Sequence, residues 1–177
     1  MVSVMFRKAL SFVACAILVI NLCSQCLFPQ GLFAVTNKAD KVVVIKSKRI
    51  LILLNDGEIL KAYRIALGKN PEGRKIMAGD KRTPEGRYIL VSKNSSSRFH
   101  LAIRISYPNE SDLQNAQRLG VPPGGGIMIH GLPEDLAELG EFHRYEDWTD
   151  GCIAVTNSEM EEIWQMVDDG TPIEIKP

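Results

Sequence analysis

Two short apolar runs in this chain end or begin in side chains that could do chemistry together. Trp148-Thr149-Asp150-Gly151-Cys152-Ile153-Ala154-Val155-Thr156 holds the only cysteine after residue 26. Gly126-Ile127-Met128-Ile129-His130-Gly131 ends in a histidine 22 positions earlier. A thiol attacks as its thiolate, and an ordinary cysteine is only a few per cent ionised at neutral pH, so Cys152 needs a base. His130 closes an apolar strand, a rigid platform for a catalytic group, and is the first choice. His143 lies in the loop nearer Cys152, and His100 sits on the polar face of an alternating strand. For each histidine the plain alternative is a hydrogen-bonded or surface side chain, and for Cys152 a small buried hydrophobe. Gly151 removes a side chain beside the thiol, so the Gly151 and Cys152 amides could point at a developing oxyanion. Cys152, His130, His143 and Asp150 could supply three or four zinc ligands. No CxxC or HxxxH spacing supports that, and no metal or cofactor is expected.

These residues need a frame to position them. Val42–Lys46 and Arg49–Leu54 read as strands, and Asn55-Asp56-Gly57 supplies a turn, so 49–67 is expected as a β-hairpin. Its second strand is expected to put Ile59, Tyr63, Ile65 and Leu67 on one face. Residues 69–85 form a long Gly-, Pro- and charge-rich connection, and Gly86 opens a strand over 87–92. Phe99–Ser106 alternates most cleanly, with His100, Arg104 and Ser106 opposite the apolar face. Ser111–Leu119 is a short helix, capped by Ser111 or Asp112, with Leu113 and Ala116 as its apolar stripe and Gly120 as its stop. Ile127–His130 is a continuous apolar run, expected to be central and buried. Residues 132–148 form a loop with a helical turn near 133–139, and Cys152–Val155 is a further strand. Thr156-Asn157-Ser158-Glu159 is a capping box. Met160, Ile163, Trp164 and Val167 then give a helical stripe, and Thr171–Lys176 closes as a strand. The sum is a mainly β, β-sandwich-like domain with two or three short helices attached.

The N-terminal 36 residues differ from the rest. Arg7 and Lys8 precede an apolar stretch, 9–22, broken only by Ser11 and Asn21, and no acid appears before Asp40. This is the pattern of a secretory signal peptide, or of an uncleaved N-terminal membrane anchor through residues 9–22. Cleavage could follow Cys26 or Ala34, although neither site is a clean small-x-small triplet. No small residue precedes Cys23 or Cys26 as a lipoprotein signal requires, so lipidation is not expected. Residues 37–41 read as a linker and 42–177 as the working domain. Beyond the leader one cysteine remains, which excludes a disulfide framework. The whole chain has 21 basic and 21 acidic residues, so bulk charge gives no reason to expect nucleic acid. A monomer is expected.

Ile129-His130-Gly131 followed by Thr149-Asp150-Gly151-Cys152-Ile153 resembles the L,D-transpeptidase (YkuD) catalytic domain, whose signature is His-Gly, a variable loop, then Ser/Thr-His-Gly-Cys. Gly79-Asp80 with Thr83-Pro84-Glu85-Gly86-Arg87-Tyr88 is similar to that family's Thr-Pro-x-Gly-x-Tyr segment, and the resemblance runs over roughly residues 41–177. It implies an exported bacterial cell-envelope enzyme, in the periplasm or anchored to the inner membrane, acting in cell wall organisation and cell shape. Its partners would be the stem peptides of peptidoglycan, and it would be a carbapenem target. Cys152 would attack the stem tetrapeptide before its terminal D-Ala with His130 as base. Gly151 and the Cys152 amide would form the oxyanion hole, with Thr149, Asp150 and Gly131 in support. The acyl-enzyme would pass to an amine, giving a 3→3 cross-link or an attached protein. Arg98, His100, Arg104, Trp148 and His143 are expected to bind substrate. Asp150 stands where the family carries His, and Ala154 where many members carry Arg or Asn. That form is similar to a divergent branch containing murein hydrolases that detach proteins from peptidoglycan. A hydrolytic L,D-carboxypeptidase or endopeptidase, and a non-catalytic cell-wall-binding domain, therefore stay open. Asp150 itself could orient an imidazole, bind a cationic stem group or cap a turn.

Overall fold

A computed structural model describes residues 38–177. The expected leader, its cleavage sites and the anchor through residues 9–22 lie outside the described residues. The eight strands are β1 (Lys41–Ile45), β2 (Ile50–Asn55), β3 (Glu58–Arg64), β4 (Gly86–Ser97), β5 (His100–Ile105), β6 (Met128–His130), β7 (Ile153–Ala154) and β8 (Pro172–Lys176). Among the described residues two α-helices accompany them, α1 (Glu110–Leu119) and α2 (Asn157–Met166), with 3-10 turns over Lys46–Lys48 and over Glu134–Tyr145, the latter broken at Gly140. The strands form one sheet in the order β3-β2-β1-β8-β4-β5-β6-β7. β1/β8 and β6/β7 pair in parallel and the other neighbours antiparallel.

The sheet curls because β4 serves both halves. Its first four residues pair with β8, and from Leu90 it pairs with β5 through register shifts at Leu90/Ser92 and Asn94/Ser97. Such bulges increase local twist and bend a strand. The two ends of the sheet then meet. Ala66, just after β3, bridges Ala154 of β7, and Gly68 bridges Thr149. Inside the curl lie Leu51, Leu53, Ile65, Leu67, Leu90, Ile103, Ile105, Ile129 and Ile153, each with no exposed surface. Burial of one such side chain stabilises by roughly 1.5–3 kcal/mol. The mainly β, sandwich-like architecture read from the sequence is the one found.

Local differences have local causes. The 49–67 hairpin is present, but the register shifts between Leu53 and Leu54, and Ile59 turns outward with 64% of its surface exposed. β4 runs on to Ser97, five residues past its expected end, because β5 continues to pair with it. The cap of α1 is Asn109, not Ser111 or Asp112. Asn109 Oδ1 accepts from the Asp112 amide at 3.0 Å, and Asp112 Oδ2 accepts from the Asn109 amide at 3.1 Å. Ala116 is buried there, whereas Leu113 is half exposed. Residues 38–41 are bound rather than free: the Ala39 amide donates to Met166 O at 2.8 Å, and Lys41 already belongs to β1. The Thr156/Glu159 capping box forms as read, and Met160, Ile163 and Val167 are buried.

Candidate active site

Parallel pairing of β6 with β7 brings the thiol and the imidazole together. His130 pairs with Ala154 and Ile129 with Ile153, so Cys152, one residue before β7, falls beside Met128. Paired residues in a sheet share a face and side chains alternate. His130, Met128 and Cys152 therefore point to one side, while Ile129 and Ile153 enter the core. Both functional side chains line a cavity of about 360 Å³ with Lys69, Arg98, Phe99, Trp148 and Asp150. Gly125 and Gly126 form another wall, and Cys152 Sγ lies 3.5 Å from Gly126 O.

The imidazole is fixed by its neighbours. His130 Nδ1 donates to Gly131 O at 2.7 Å. A carbonyl only accepts, so the proton sits on Nδ1 and leaves Nε2 as the lone-pair nitrogen. Phe99 stacks on the ring at 4.3 Å, and Trp148 meets it edge-on at 5.8 Å. Burial holds His130 neutral and lowers its pKa to about 4, with Arg98 adding to the shift and the Gly131 carbonyl opposing it. Gly131 is required sterically. A Cβ there would sit 2.5 Å from Asn157 Oδ1, which accepts from the Leu132 amide, and 3.1 Å from Phe99 O.

The thiol is pushed up from its ordinary pKa, first by burial and then by the Asp150 charge; a Met128 backbone hydrogen bond and the Lys75 charge oppose this. Both shifts favour the neutral forms, a thiol at Cys152 and an uncharged imidazole at His130. Replacing Asp150 with Asn removes a charge that disfavours thiolate. Iodoacetamide should therefore modify Cys152 faster at pH 7 in Asp150→Asn than in the parent, and an equal or slower rate would contradict this reading.

The loop before the cysteine is tightly held. Thr149 Oγ1 donates to Cys152 O at 2.8 Å and accepts from the Gly151 amide at 3.1 Å. The Gly151 amide, expected to face an oxyanion, is engaged within its own turn in this state. Gly151 has φ +126, and a Cβ there would lie 2.6 Å from Arg82 O. Gly68 packs its backbone against Gly151, and its amide donates to Thr83 Oγ1 at 3.1 Å. Thr83 belongs to the Thr-Pro segment, which thereby supports the cysteine loop from beneath. Lys46 fixes that segment further through Thr83 O, Gly73 O and Glu85 Oε1.

The remaining expected residues divide. Arg98 and Trp148 line the cavity. His100 does not: its backbone has φ +67, and Nε2 is held 3.0 Å from Glu161 Oε1 on α2. Arg104 pairs with Met128 and is exposed, outside the cavity wall. His143 is buried behind Trp148, whose indole N–H donates to His143 Nδ1 at 3.3 Å. It supports the wall without touching the cavity. Asp150 lines the cavity, but the partner that orients His130 is Gly131 O, so the triad reading of Asp150 has no counterpart here. Lys69 and Phe99 were missed as wall residues. Phe99 reads in the sequence as one more apolar position of an alternating strand, and Lys69 as one charge among many in a loop.

His130 and His143 are both held near pKa 4 by burial, against about 6.5 when unfolded. The unfolded chain then takes up protons first as pH falls, and stability is lost between about 6.5 and 4. Each should cost about 1 kcal/mol between pH 7.5 and 5.5, measured by urea unfolding. His130→Asn should remove about half of that dependence, and a pH-independent parent would contradict the assignment.

The family model of the YkuD L,D-transpeptidase catalytic domain matches residues 39–175. YafK of Escherichia coli strain K12 is 32% identical over 133 residues, covering 71% of this chain and 46% of that protein. The helical cell shape determining protein Pgp2 of Campylobacter jejuni is 32% identical over 77% of this chain and 48% of that one, with a TM-score of 0.57. An L,D-transpeptidase from Mycobacterium smegmatis shares the fold at 18% identity and a TM-score of 0.52, covering 77% of this chain and 58% of that one. The chain spans about half the length of the first two. With a matching model across most of its length and His-Gly and Gly-Cys at the ends of the paired β6 and β7, the chain belongs to the YkuD family of L,D-transpeptidase catalytic domains.

Proposed function

We propose that this protein is an exported peptidoglycan L,D-transpeptidase in which Cys152 is the nucleophile and His130 the base. The observation that carries this is the shared cavity of Cys152 and a His130 whose Nδ1–H is committed to Gly131 O. That bond leaves Nε2 free to take the thiol proton. The thiolate then attacks the carbonyl of the third stem residue. The tetrahedral intermediate collapses, the C–N bond breaks, and His130 returns its proton to the departing D-Ala amine. A thioester on Cys152 remains. An amine of a second stem attacks it, gives its proton to His130 and expels the thiolate, forming a 3→3 cross-link. Arg98 and Lys69 supply cationic groups on the cavity wall for stem carboxylates, and Asp150 an anionic one for an ammonium. The likeness to Pgp2 supports a role in cell shape.

Purified disaccharide-tetrapeptide incubated with the protein tests the reading. Cross-linked dimers with release of D-Ala are expected. Trimmed monomers alone would identify water as the acceptor, and an unchanged substrate would refute a catalytic role.

A further inference from the structure

The loop that joins the two halves of the site carries an aromatic surface that the acyl-transfer chemistry does not use. Phe142 is 66% exposed and Tyr145 81%. Their rings lie 5.7 Å apart at 49°, beside a surface pocket of about 580 Å³. Arg64, Glu138, Glu141 and Arg144 share that pocket. Contiguous exposed apolar surface marks binding sites, whereas singly scattered apolar side chains need no explanation.

The charges around the rings argue for the occupant. Glu159 neutralises Arg144, so Arg64 stands against Glu138 and Glu141, a small negative balance that disfavours an anionic partner. These groups offer acceptors and donors side by side, as hydroxyls and acetamido groups require. Aromatic faces suit the apolar C–H faces of pyranose rings. The platform is also anchored. Arg144 holds Glu159 of α2 through both oxygens, at 2.8 and 2.7 Å. Between Phe142 and Tyr145 in the chain, His143 accepts from Trp148, which walls the cavity.

Reach fits as well. Tyr145 is three residues from Trp148, so their Cα atoms are at most about 11 Å apart. Three stem residues separate the scissile carbonyl from the sugar and span about 10 Å when extended. We propose that Phe142 and Tyr145 form a saccharide-binding platform for the glycan strand that bears the stem peptide under attack. This rests on the substrate reading above, so its test includes an arm that needs no catalysis.

The full chain carrying Cys152→Ala is titrated by calorimetry with the tetramer of N-acetylglucosamine, alone and with Phe142→Ala/Tyr145→Ala added. Saturable binding is expected, weakened about tenfold or more by the double change. In the Cys152 protein, the double variant should lose about tenfold in kcat/KM on the disaccharide-tetrapeptide and nothing on the free tetrapeptide. Absent or unweakened tetramer binding, with the fold confirmed by circular dichroism, overturns the platform whatever the enzyme does. Equal loss on both substrates overturns it too, because it places the aromatics on the peptide. Tetramer binding by the Cys152→Ala protein with no turnover by the parent would keep the platform and refute the transpeptidase reading.

Discussion

Cys152→Ala should leave no measurable turnover of a stem tetrapeptide, and His130→Gln should retain about one part in 10² to 10⁴ of kcat/KM. The two losses differ in kind. In the proposed mechanism alanine removes the atom that forms the thioester. Glutamine keeps the thiol but removes the group that takes its proton, so only the thiolate fraction set by solvent remains. Burial and Asp150 raise the thiol pKa, so that fraction is small at neutral pH and grows as pH rises. Activity of His130→Gln should therefore climb with pH beyond 8, where the parent is already flat. In the parent, His130 stays neutral down to about pH 4, so the acid limb of kcat/KM should fall near that value and not near 6.5. A His130→Gln variant with parental activity and an unchanged pH profile would remove the histidine from the mechanism.

A large stability effect is expected at Gly151. Alanine there must adopt φ +126 and place its Cβ 2.6 Å from Arg82 O and 3.2 Å from Ile127 Cδ1. Strain at such a φ costs about 1–3 kcal/mol and overpacking about the same, so Gly151→Ala should lose roughly 2–6 kcal/mol. Gly57→Ala is the internal control. Gly57 has φ +83 but nothing within 4 Å of a new Cβ, so it should lose only about 1–2 kcal/mol, the strain alone. Chemical denaturation of the three proteins measures the difference. Equal losses would mean that the Gly68–Gly151–Arg82 backbone contact is looser than the structure shows.

The strands, both helices and the placing of Cys152 and His130 at neighbouring strand ends that line one cavity were legible because each rests on a local pattern. Alternation marks β5, a capping box opens α2, and Gly beside Cys and after His marks two strand ends. What the sequence hid depends on contacts between distant segments. The bulge at Leu53/Leu54 that exposes Ile59 appears only once β2 and β3 are paired. His100 looks like a groove residue until its positive φ and Glu161 turn it away. His143 looks like a second candidate base until Trp148 is seen donating to it. Gly68 looks like any loop glycine, although its backbone lies against Gly151. Asp150 in the sequence suits an imidazole-orienting acid, a site for a cationic stem group or a turn cap. The triad role falls because Gly131 O already orients the imidazole, which leaves an anionic wall residue that also raises the thiol pKa.

The central claim, that Cys152 carries the acyl group, is tested most directly by trapping it. The protein is incubated with a stem tetrapeptide or a carbapenem, quenched in acid, weighed intact and mapped by peptide mass. One acyl group on the peptide containing Cys152, absent from Cys152→Ala, is the result predicted. An adduct on any other residue, or one that persists in Cys152→Ala, would contradict it.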